Sequence, residues 1–267
     1  MVNRFKILLV GLCALSMLSC IGVHEEEDDI ITVPVVDPEQ GGSAEGTRFY
    51  HRILACDYTA SWCLYCPNMA ATLAEAKKER PGRIIEIAIH QYDSMEAPES
   101  ASLVAQFSVN SFPMLIFDMD ATTKLQDHST KLITDYIDKT TPLDAGGIAI
   151  DATSKESLTV KVTSAANGDY KLLVALLEDG IVEDQVGYGP GYVNNAVLCE
   201  MLSKNDGTPI GKLNKGEETV DHFSLNKAEN KRVLVSLLKQ DINGNWLSNN
   251  VAQCNTNAKI DYLYEQD

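Results

Sequence analysis

The 267-residue sequence predicts an α/β half followed by an all-β half. Between Phe49 and about Pro142, strand-length apolar runs alternate with segments that carry apolar residues at helical spacing. This alternation is typical of helices packed on a sheet. Beyond Ala145 the helical period disappears, and strand-length pieces follow, separated by turn signals such as NGD, NDG and NGN. That second pattern predicts an antiparallel β-sandwich.

In the first half the predicted order is strand, helix, strand, helix, strand, helix. RFYHRILACDYT is rich in β-forming residues, and PNMAATLAEAKKER has a helical apolar period that Pro81 ends. RIIEIAIHQY is a nearly continuous apolar run, as expected for a strand covered on both faces. The remaining elements are the helix PESASLVAQFSV, the strand PMLIFD and a closing helix that starts at Ser129.

In the second half we predict only strands and loops. The predicted strands are GIAIDAT, SLTVKVTS, DYKLLVALLE, NAVLCEMLS, TVDHFSL, KRVLVSLLKQ and NWLSNNVAQC. The segment GYGPGY, Gly187 to Tyr192, has no following helix that would complete a phosphate-binding loop. We therefore interpret it as an irregular loop whose two tyrosines are candidates for contact with a partner.

The N-terminus has the features of a signal peptide. Arg4 and Lys6 precede the short apolar run Ile7 to Leu18, and a small residue stands before Cys20. We therefore predict that residues 1–19 are a signal peptide and not a membrane-spanning helix. The ending MLSC resembles the lipobox of bacterial lipoproteins. This resemblance implies lipidation of Cys20 and a membrane anchor at that residue.

Residues 20–46 form a polar segment without helical or strand period and with a Gly/Ser-rich ending. We interpret it as a flexible tether between the lipid and the folded part. Its acidic run, Glu25 to Asp29, resembles the export signal of Bacteroidetes surface lipoproteins, but a solvated linker has the same composition. The sequence therefore predicts an outer-membrane lipoprotein and leaves open whether it faces the cell surface or the periplasm.

The charge of the chain excludes two classes of partner. Its formal net charge is −16 at pH 7. A surface of this sign repels nucleic acid and anionic lipid headgroups. We therefore expect neither as a partner.

The segment TASWCLYCPNMAATL places Cys63 and Cys66 two residues apart, just before a predicted helix. Such a pair can be a redox centre, half of a zinc site or a structural staple. Zinc needs about four ligands, and no second CxxC or CxxxH completes a site. We therefore expect no metal and no cofactor other than a Cys63–Cys66 disulfide, and the redox and structural interpretations stay open.

The other cysteines raise a separate question of pairing. Removal of Cys13 with the signal peptide and lipidation of Cys20 leave five cysteines for chemistry in an oxidising compartment. Cys56, within the first predicted strand, is interpreted as a small buried hydrophobe. Cys199 and Cys254 fall in two predicted β segments, where they either form a long-range bridge or remain two buried thiols.

The surroundings of the CxxC resemble the thioredoxin family over residues 47–142. Asp57 lies six residues before Cys63, where thioredoxins keep a buried acid, and Trp62 stands directly before that cysteine. Phe112-Pro113, entering an apolar strand, matches the loop whose cis-proline packs against the thioredoxin disulfide. The resemblance implies a thioredoxin-like domain with a redox-active pair.

Each site residue then has an expected role. Cys63, at a helix N-terminus where the dipole stabilises a thiolate, would be the attacking nucleophile, and Cys66 would resolve the mixed disulfide. Asp57 would accept the proton of Cys66 if burial raises its pKa; the alternative is a solvated acid at the strand end. Pro113 would shape the groove for an extended substrate backbone, and Trp62 would shield one side. The intervening Leu64-Tyr65 supplies no charge, so the direction of electron flow stays open.

Over the whole chain the sequence resembles the Omp28-related outer-membrane lipoproteins. The resemblance rests on YTASWCLYCPNMA, the strand end at His90, VNSFP and NNAVL. It implies an immunoglobulin-like β-sandwich over residues 143–267. His90 itself, beside Asp93, is interpreted as a hydrogen-bonded strand-end histidine with no catalytic part.

Two functions are compatible with these features. The first is a thiol–disulfide oxidoreductase that acts on envelope proteins with thiols or disulfides. The alternative is a non-catalytic surface lipoprotein, in which the thioredoxin fold is a scaffold and the sandwich binds a partner. The reactivity of Cys63 distinguishes the two.

Overall fold

The computed structural model describes residues 48–140, 144–225 and 230–265. The predicted signal peptide (1–19), the lipidation site Cys20 and the tether (20–46) lie outside the described residues. Within the described ranges, no helix has both the length and the apolar character to span a bilayer.

The first half contains three strands and three α-helices. In chain order they are β1 (Ile53–Thr59), α1 (Cys66–Glu79), β2 (Ile84–His90), α2 (Ser100–Gln106), β3 (Met114–Phe117) and α3 (Thr130–Lys139). A short 3-10 turn, Ala121–Thr123, separates β3 from α3. The predicted strand and helix order is confirmed.

The central strand of this half is β1. It pairs with β2 in parallel and with β3 antiparallel. One face of β1 carries Ile53 and Ala55, which pack in one apolar cluster with Met69 and Leu73 of α1 and with Ile133 of α3. The opposite face, with Leu54, Cys56 and Tyr58, belongs to a second cluster, so β1 is covered on both sides.

The second half contains eleven strands among the described residues. They are β4 (Gly147–Asp151), β5 (Ser157–Thr163), β6 (Gly168–Glu178), β7 (Ile181–Gln185), β8 (Gly189–Asn194), β9 (Val197–Met201), β10 (Thr208–Leu213), β11 (Glu218–Ser224), β12 (Arg232–Gln240), β13 (Trp246–Asn255) and β14 (Lys259–Ile260).

All of these strands except β7 and β8 belong to the two sheets of a sandwich. A four-stranded sheet has the order β11-β5-β4-β14, and it faces the strands β6, β12 and β13 of a larger sheet. The core between them includes Ile150, Val160 and Val162 from one side and Val174 and Val235 from the other. The predicted fold class, a thioredoxin-like domain followed by an antiparallel β-sandwich, is therefore confirmed.

One sheet runs through both halves. Its order is β13-β12-β6-β9-β2-β1-β3, with β10 also paired to β6. The sheet continues from one half into the other through the parallel pairing of β2 with β9, where the amide of Ala88 donates to the carbonyl of Ala196 at 2.8 Å. The apolar cluster beneath also mixes the halves, for example Ile87 with Leu198 and Leu177. The predicted division into domains 47–142 and 143–267 falls at 141–143, outside the described residues, and stays a prediction.

The segment GYGPGY is not the irregular loop that its composition predicts. Strands β7 and β8 form a separate hairpin, and Gly187 and Tyr188 lie in its turn. Val182 is opposite Val193, and Glu183 is opposite Tyr192. Glycine and proline are weak β-formers, so composition suggested a loop, whereas pairing with β7 makes the segment a strand.

Candidate redox site

The two cysteines of the CxxC form a disulfide at the start of α1. Their Cα atoms are 5.5 Å apart. Cys66 is the first residue of the helix, and Cys63 lies in the turn before it. Pro67 fits the first turn of α1 because its missing N–H would have no helical partner there. The bridge therefore places both sulfur atoms at the N-terminus of α1, where the helix dipole favours negative charge.

Both cysteines are nearly enclosed. Cys63 is 5% exposed and Cys66 is 2% exposed. They form a small apolar cluster with Ala60, and the ring of Phe112 packs against it. The sulfur atoms therefore lie just beneath the surface.

Asp57 is a buried acid with an incomplete set of hydrogen bonds. It lies on β1 with 2% of its surface exposed, and its Oδ1 has no hydrogen-bond partner. Because side chains alternate along a strand, Asp57 points to the same face as Ile53 and Ala55, the face covered by α1. Burial, followed by the Glu86 carboxylate, raises the pKa of Asp57 well above its ordinary value, and Lys77 opposes this rise.

Trp62 and Pro113 are both connected to Phe112, whose ring packs against the cysteine cluster. The Trp62 indole donates to the carbonyl of Gln91 at 2.9 Å, and its ring meets Phe112 edge-to-face at 5.5 Å. Pro113 follows Phe112 through a cis peptide bond and leads into β3. The Phe112 ring therefore connects the Trp62 side of the site with the loop that carries Pro113.

His90 is hydrogen-bonded at the end of β2. Its Nδ1 lies 2.9 Å from Oδ2 of Asp93. The same carboxylate accepts from the amides of Ser61, at 2.7 Å, and Met95, at 2.9 Å. Burial would raise the pKa of Asp93, but these hydrogen bonds, with that from His90 the largest, hold it below its ordinary value. Asp93 therefore fixes the turn before Trp62, a role that sequence reasoning did not assign.

The β7–β8 hairpin of the second half packs directly on the CxxC loop. The side-chain amide of Gln185 donates to the carbonyls of Cys63, at 2.8 Å, and Ala60, at 3.3 Å. The amide of Val186 donates to the carbonyl of Ser61 at 2.9 Å. Gln185 is only 2% exposed. The hairpin therefore forms one wall of the site, and no local sequence pattern predicted this.

Further contacts extend this wall on both sides of the loop. The Tyr188 hydroxyl donates to Asn68 at 2.8 Å, and the Ser94 hydroxyl donates to Glu183 at 2.8 Å. Burial, followed by the Asp57 carboxylate, raises the pKa of Tyr192 on β8 to about 12.

Gly187 is required at the hairpin turn for two reasons. Its φ of +84° favours glycine, and a Cβ there would stand 2.5 Å from the Leu64 side chain. The hairpin turn therefore lies directly against Leu64, one of the two residues between the cysteines.

Two protein-family models match the chain. The model of the family described as "Outer membrane protein Omp28" matches residues 100–259, more than half of the sequence. The chain belongs to the Omp28 family. The thioredoxin model matches residues 48–139, so the Omp28 match covers the second half together with part of the thioredoxin-like one. A search of curated proteins found no match.

Two solved structures share the architecture of this Omp28 family member. HBP35 of Porphyromonas gingivalis superposes with a TM-score of 0.65 at 18% identity, over 83% of this chain and 80% of that one. A structural-genomics protein of Agrobacterium tumefaciens superposes with a TM-score of 0.59 at 13% identity, over 80% of this chain and 96% of that one. At such identities the similarity shows the fold alone.

Within the described residues of this Omp28 family member, the cysteines outside the CxxC are free thiols: Cys56, Cys199 and Cys254. Cys199 lies on β9 and Cys254 on β13, and β6 and β12 separate these strands in the sheet. Of the two alternatives for this pair, the structure therefore has the free thiols, of which Cys254 is buried and Cys199 is only half-buried. Burial raises the pKa of Cys254 to about 12 and also raises that of Cys56, as expected for small hydrophobes.

Within the three described ranges, no three His, Cys, Asp or Glu side chains lie close enough together to hold a metal ion.

The raised pKa of Asp57 predicts a pH-dependent stability with a defined sign. The folded protein holds the Asp57 proton at a pH where the unfolded chain, with a pKa of about 3.9, has lost it. Stability is therefore full below the unfolded pKa and falls as pH rises towards the folded pKa. Asp57→Asn abolishes this fall, so the variant should gain stability relative to wild type between pH 5 and pH 8.

Urea unfolding of the disulfide form at pH 5 and pH 8 measures this gain. Asp221→Asn, on β11, also removes one carboxylate and is the control, whose difference from wild type should not follow the Asp57→Asn trend. An Asp57→Asn difference that stays constant over this pH range would contradict the assignment.

Proposed function

We propose that this chain is a thiol–disulfide oxidoreductase that acts on proteins of the cell envelope. The observation that carries the proposal is the arrangement of three groups. A disulfide stands at the N-terminus of α1, Cys63 lies in the turn before the helix, and the partnerless carboxyl oxygen of Asp57 points to the α1 side of the sheet. A dithiol in this setting has a stabilised thiolate and a buried group that can hold its proton.

In the disulfide form the chain oxidises a client dithiol. A client thiolate attacks Sγ of Cys63, the Cys63–Cys66 bond breaks, and the electron pair leaves on Sγ of Cys66. The helix N-terminus stabilises this thiolate, and Asp57 donates its proton to it. The second client thiolate then attacks the client sulfur of the mixed disulfide and releases Cys63. The client loses two electrons, and the CxxC gains them.

The reverse sequence reduces a client disulfide. The Cys63 thiolate attacks the client disulfide and releases one client thiolate. Cys66 then gives its proton to the Asp57 carboxylate and attacks Sγ of Cys63, which releases the second client thiolate. The client gains the two electrons that the CxxC loses. The reduction potential of the client relative to the CxxC decides which direction runs.

One observation favours the non-catalytic alternative. Cys63 is 5% exposed, and the hairpin packs on its loop. A disulfide held in this way is also what a structural staple requires. The reactivity of the reduced cysteines separates the two functions.

The catalytic proposal predicts that the two thiols of the reduced CxxC differ in their rate of alkylation. In the reduced protein, iodoacetamide should modify Cys63 at neutral pH at least about tenfold faster than Cys66, because its thiolate is stabilised at the helix start. The Cys66→Ser variant should trap envelope proteins as mixed disulfides in cells, because the resolving thiol is missing. The Cys63→Ser variant is the matched control and should trap none.

Peptide mapping and non-reducing gels measure these outcomes. If reduced Cys63 titrates like an ordinary thiol near pH 8.5 and Cys66→Ser captures no protein, the disulfide is a staple.

We further propose that the chain is held at the outer membrane by a lipid on Cys20. The lipobox-like MLSC supports the anchor, and the name of the Omp28 family supports the membrane. Glu25 to Asp29 would direct the protein to the cell surface if they act as an export signal. The expected clients are then thiol- or disulfide-bearing proteins of the same compartment.

The anchor has a direct chemical test. Mass spectrometry of the mature N-terminus should find a diacyl or triacyl group on Cys20, and Cys20→Ser should abolish it. A mature chain that begins at any other residue without lipid would overturn the anchor and leave the redox proposal intact.

A further inference from the structure

The exposed apolar side chains of this protein are concentrated around the disulfide. Of the eleven large hydrophobic side chains exposed among the described residues, eight lie in three segments near the CxxC. Three belong to the loop 62–65, one is Tyr92, and four belong to the β7–β8 hairpin, including the cross-strand pair Val182 and Val193. Exposed apolar clusters of this kind mark binding surfaces.

Three hydrogen bonds connect the three segments. Trp62 bonds to Gln91, Ser94 to Glu183, and Val186 to Ser61. We call residues 60–71, 91–100 and 181–194 the redox face. Because the face is built from both halves of the chain, a partner that docks at the disulfide also meets the hairpin.

The redox face carries negative charge only. Its sequence contains Asp93, Glu96, Glu99, Glu183 and Asp184 but no lysine or arginine. Asp93 pairs with His90, and the other four form no ion pair with a basic side chain within the described ranges.

Some acids elsewhere in the chain differ from these four. Glu86, Glu178 and Asp179, for example, each pair with a lysine or an arginine. The redox face therefore offers carboxylates that a cationic partner can neutralise.

We propose that the redox face binds an extended client segment in which the reactive cysteine is flanked by apolar and cationic residues. This inference rests on the proposed oxidoreductase function and names its substrate class. Apolar client side chains would cover the exposed aromatic and valine side chains, which is favourable in proportion to the area removed from water. Lysine or arginine beside the cysteine would meet the unpaired carboxylates and raise the rate of encounter.

Charge argues against other occupants of this face. A second copy of the chain has a formal net charge of −16 and would bring the same acidic face against this one. An anionic lipid surface would be repelled in the same way. A cationic client segment is the partner whose charge complements the face.

The hairpin supplies two of the four carboxylates that set this preference. Glu183 and Asp184 both lie on β7, and Glu96 and Glu99 lie in the segment 91–100, whereas the loop 60–71 contains no charged residue. Discrimination between clients by charge should therefore depend in part on the second half of the molecule and not on the CxxC loop itself.

Matched peptides test the inference on the detergent-solubilised mature protein. The reduced Cys66→Ser form is mixed with peptides whose single cysteine carries a 2-thiopyridyl disulfide and is flanked by leucines and by lysine, glutamine or glutamate. Attack by Cys63 forms the protein–peptide disulfide and releases pyridine-2-thione, whose absorbance gives the rate. Each rate is divided by that of the same peptide with 2-mercaptoethanol, which removes intrinsic differences.

At low salt the lysine peptide should react about tenfold or more faster than the glutamate peptide, and 0.5 M NaCl should reduce this ratio. Glu183→Gln together with Asp184→Asn should lower the ratio several-fold. The control pair Glu156→Gln and Asp221→Asn, which removes the same charge from the bend before β5 and from β11, should leave it unchanged.

The outcomes distinguish a wrong client preference from a wrong oxidoreductase function. If the glutamine peptide reacts and the ratio is near one, or if the hairpin pair of substitutions leaves the ratio unchanged, the client preference is wrong and the redox function stands. If no peptide reacts faster with Cys63 than with 2-mercaptoethanol, the oxidoreductase function fails and the inference fails with it.

Discussion

The parallel pairing of β2 with β9 is the interaction on which the rest of the site depends. It joins Ala88 of the first half to Val197 of the second and makes one sheet of the two. The hairpin β7–β8 comes immediately before β9, so this pairing delivers the hairpin to the end of β1, where the CxxC loop begins. Gln185 thereby reaches Cys63 across 122 residues of sequence. A contact of this range costs loop entropy, which the shared sheet and core offset.

As a consequence, the thioredoxin-like half alone does not contain the whole redox site. Asp93, the cysteines and the Phe112 ring come from the first half, but the wall over the loop comes from the second. An isolated two-stranded hairpin is marginal in water. Its position therefore depends on a few hydrogen bonds to the loop, each with a net value of about 1 kcal/mol.

The sequence predicts the parts of this arrangement that depend on neighbouring residues, and it does not predict the contacts between residues far apart in the chain. Strand β1, helix α1 and strand β2 follow from local periodicity, and the CxxC with Asp57 and Trp62 follows from spacing. The partner of β2 does not, because many apolar strands of the second half are equally suitable by pattern. For the same reason the sequence left two options for Cys199 and Cys254, and strand order decides between them. Gln185 lies in a segment without a distinctive motif, and it has a role only once the sheet is assembled.

The central claim is that the hairpin is part of the redox site, and the rate at which dithiothreitol reduces the Cys63–Cys66 disulfide tests it most directly. Gln185→Ala removes the hydrogen bonds that anchor the hairpin to the carbonyls of Cys63 and Ala60. Gln240→Ala removes a similar amide-to-carbonyl bond, to Gly244, far along the chain and serves as the control. We expect Gln185→Ala to be reduced about fivefold faster than wild type, the equivalent of one net hydrogen bond, and Gln240→Ala to match wild type. Equal rates for all three proteins would contradict the claim.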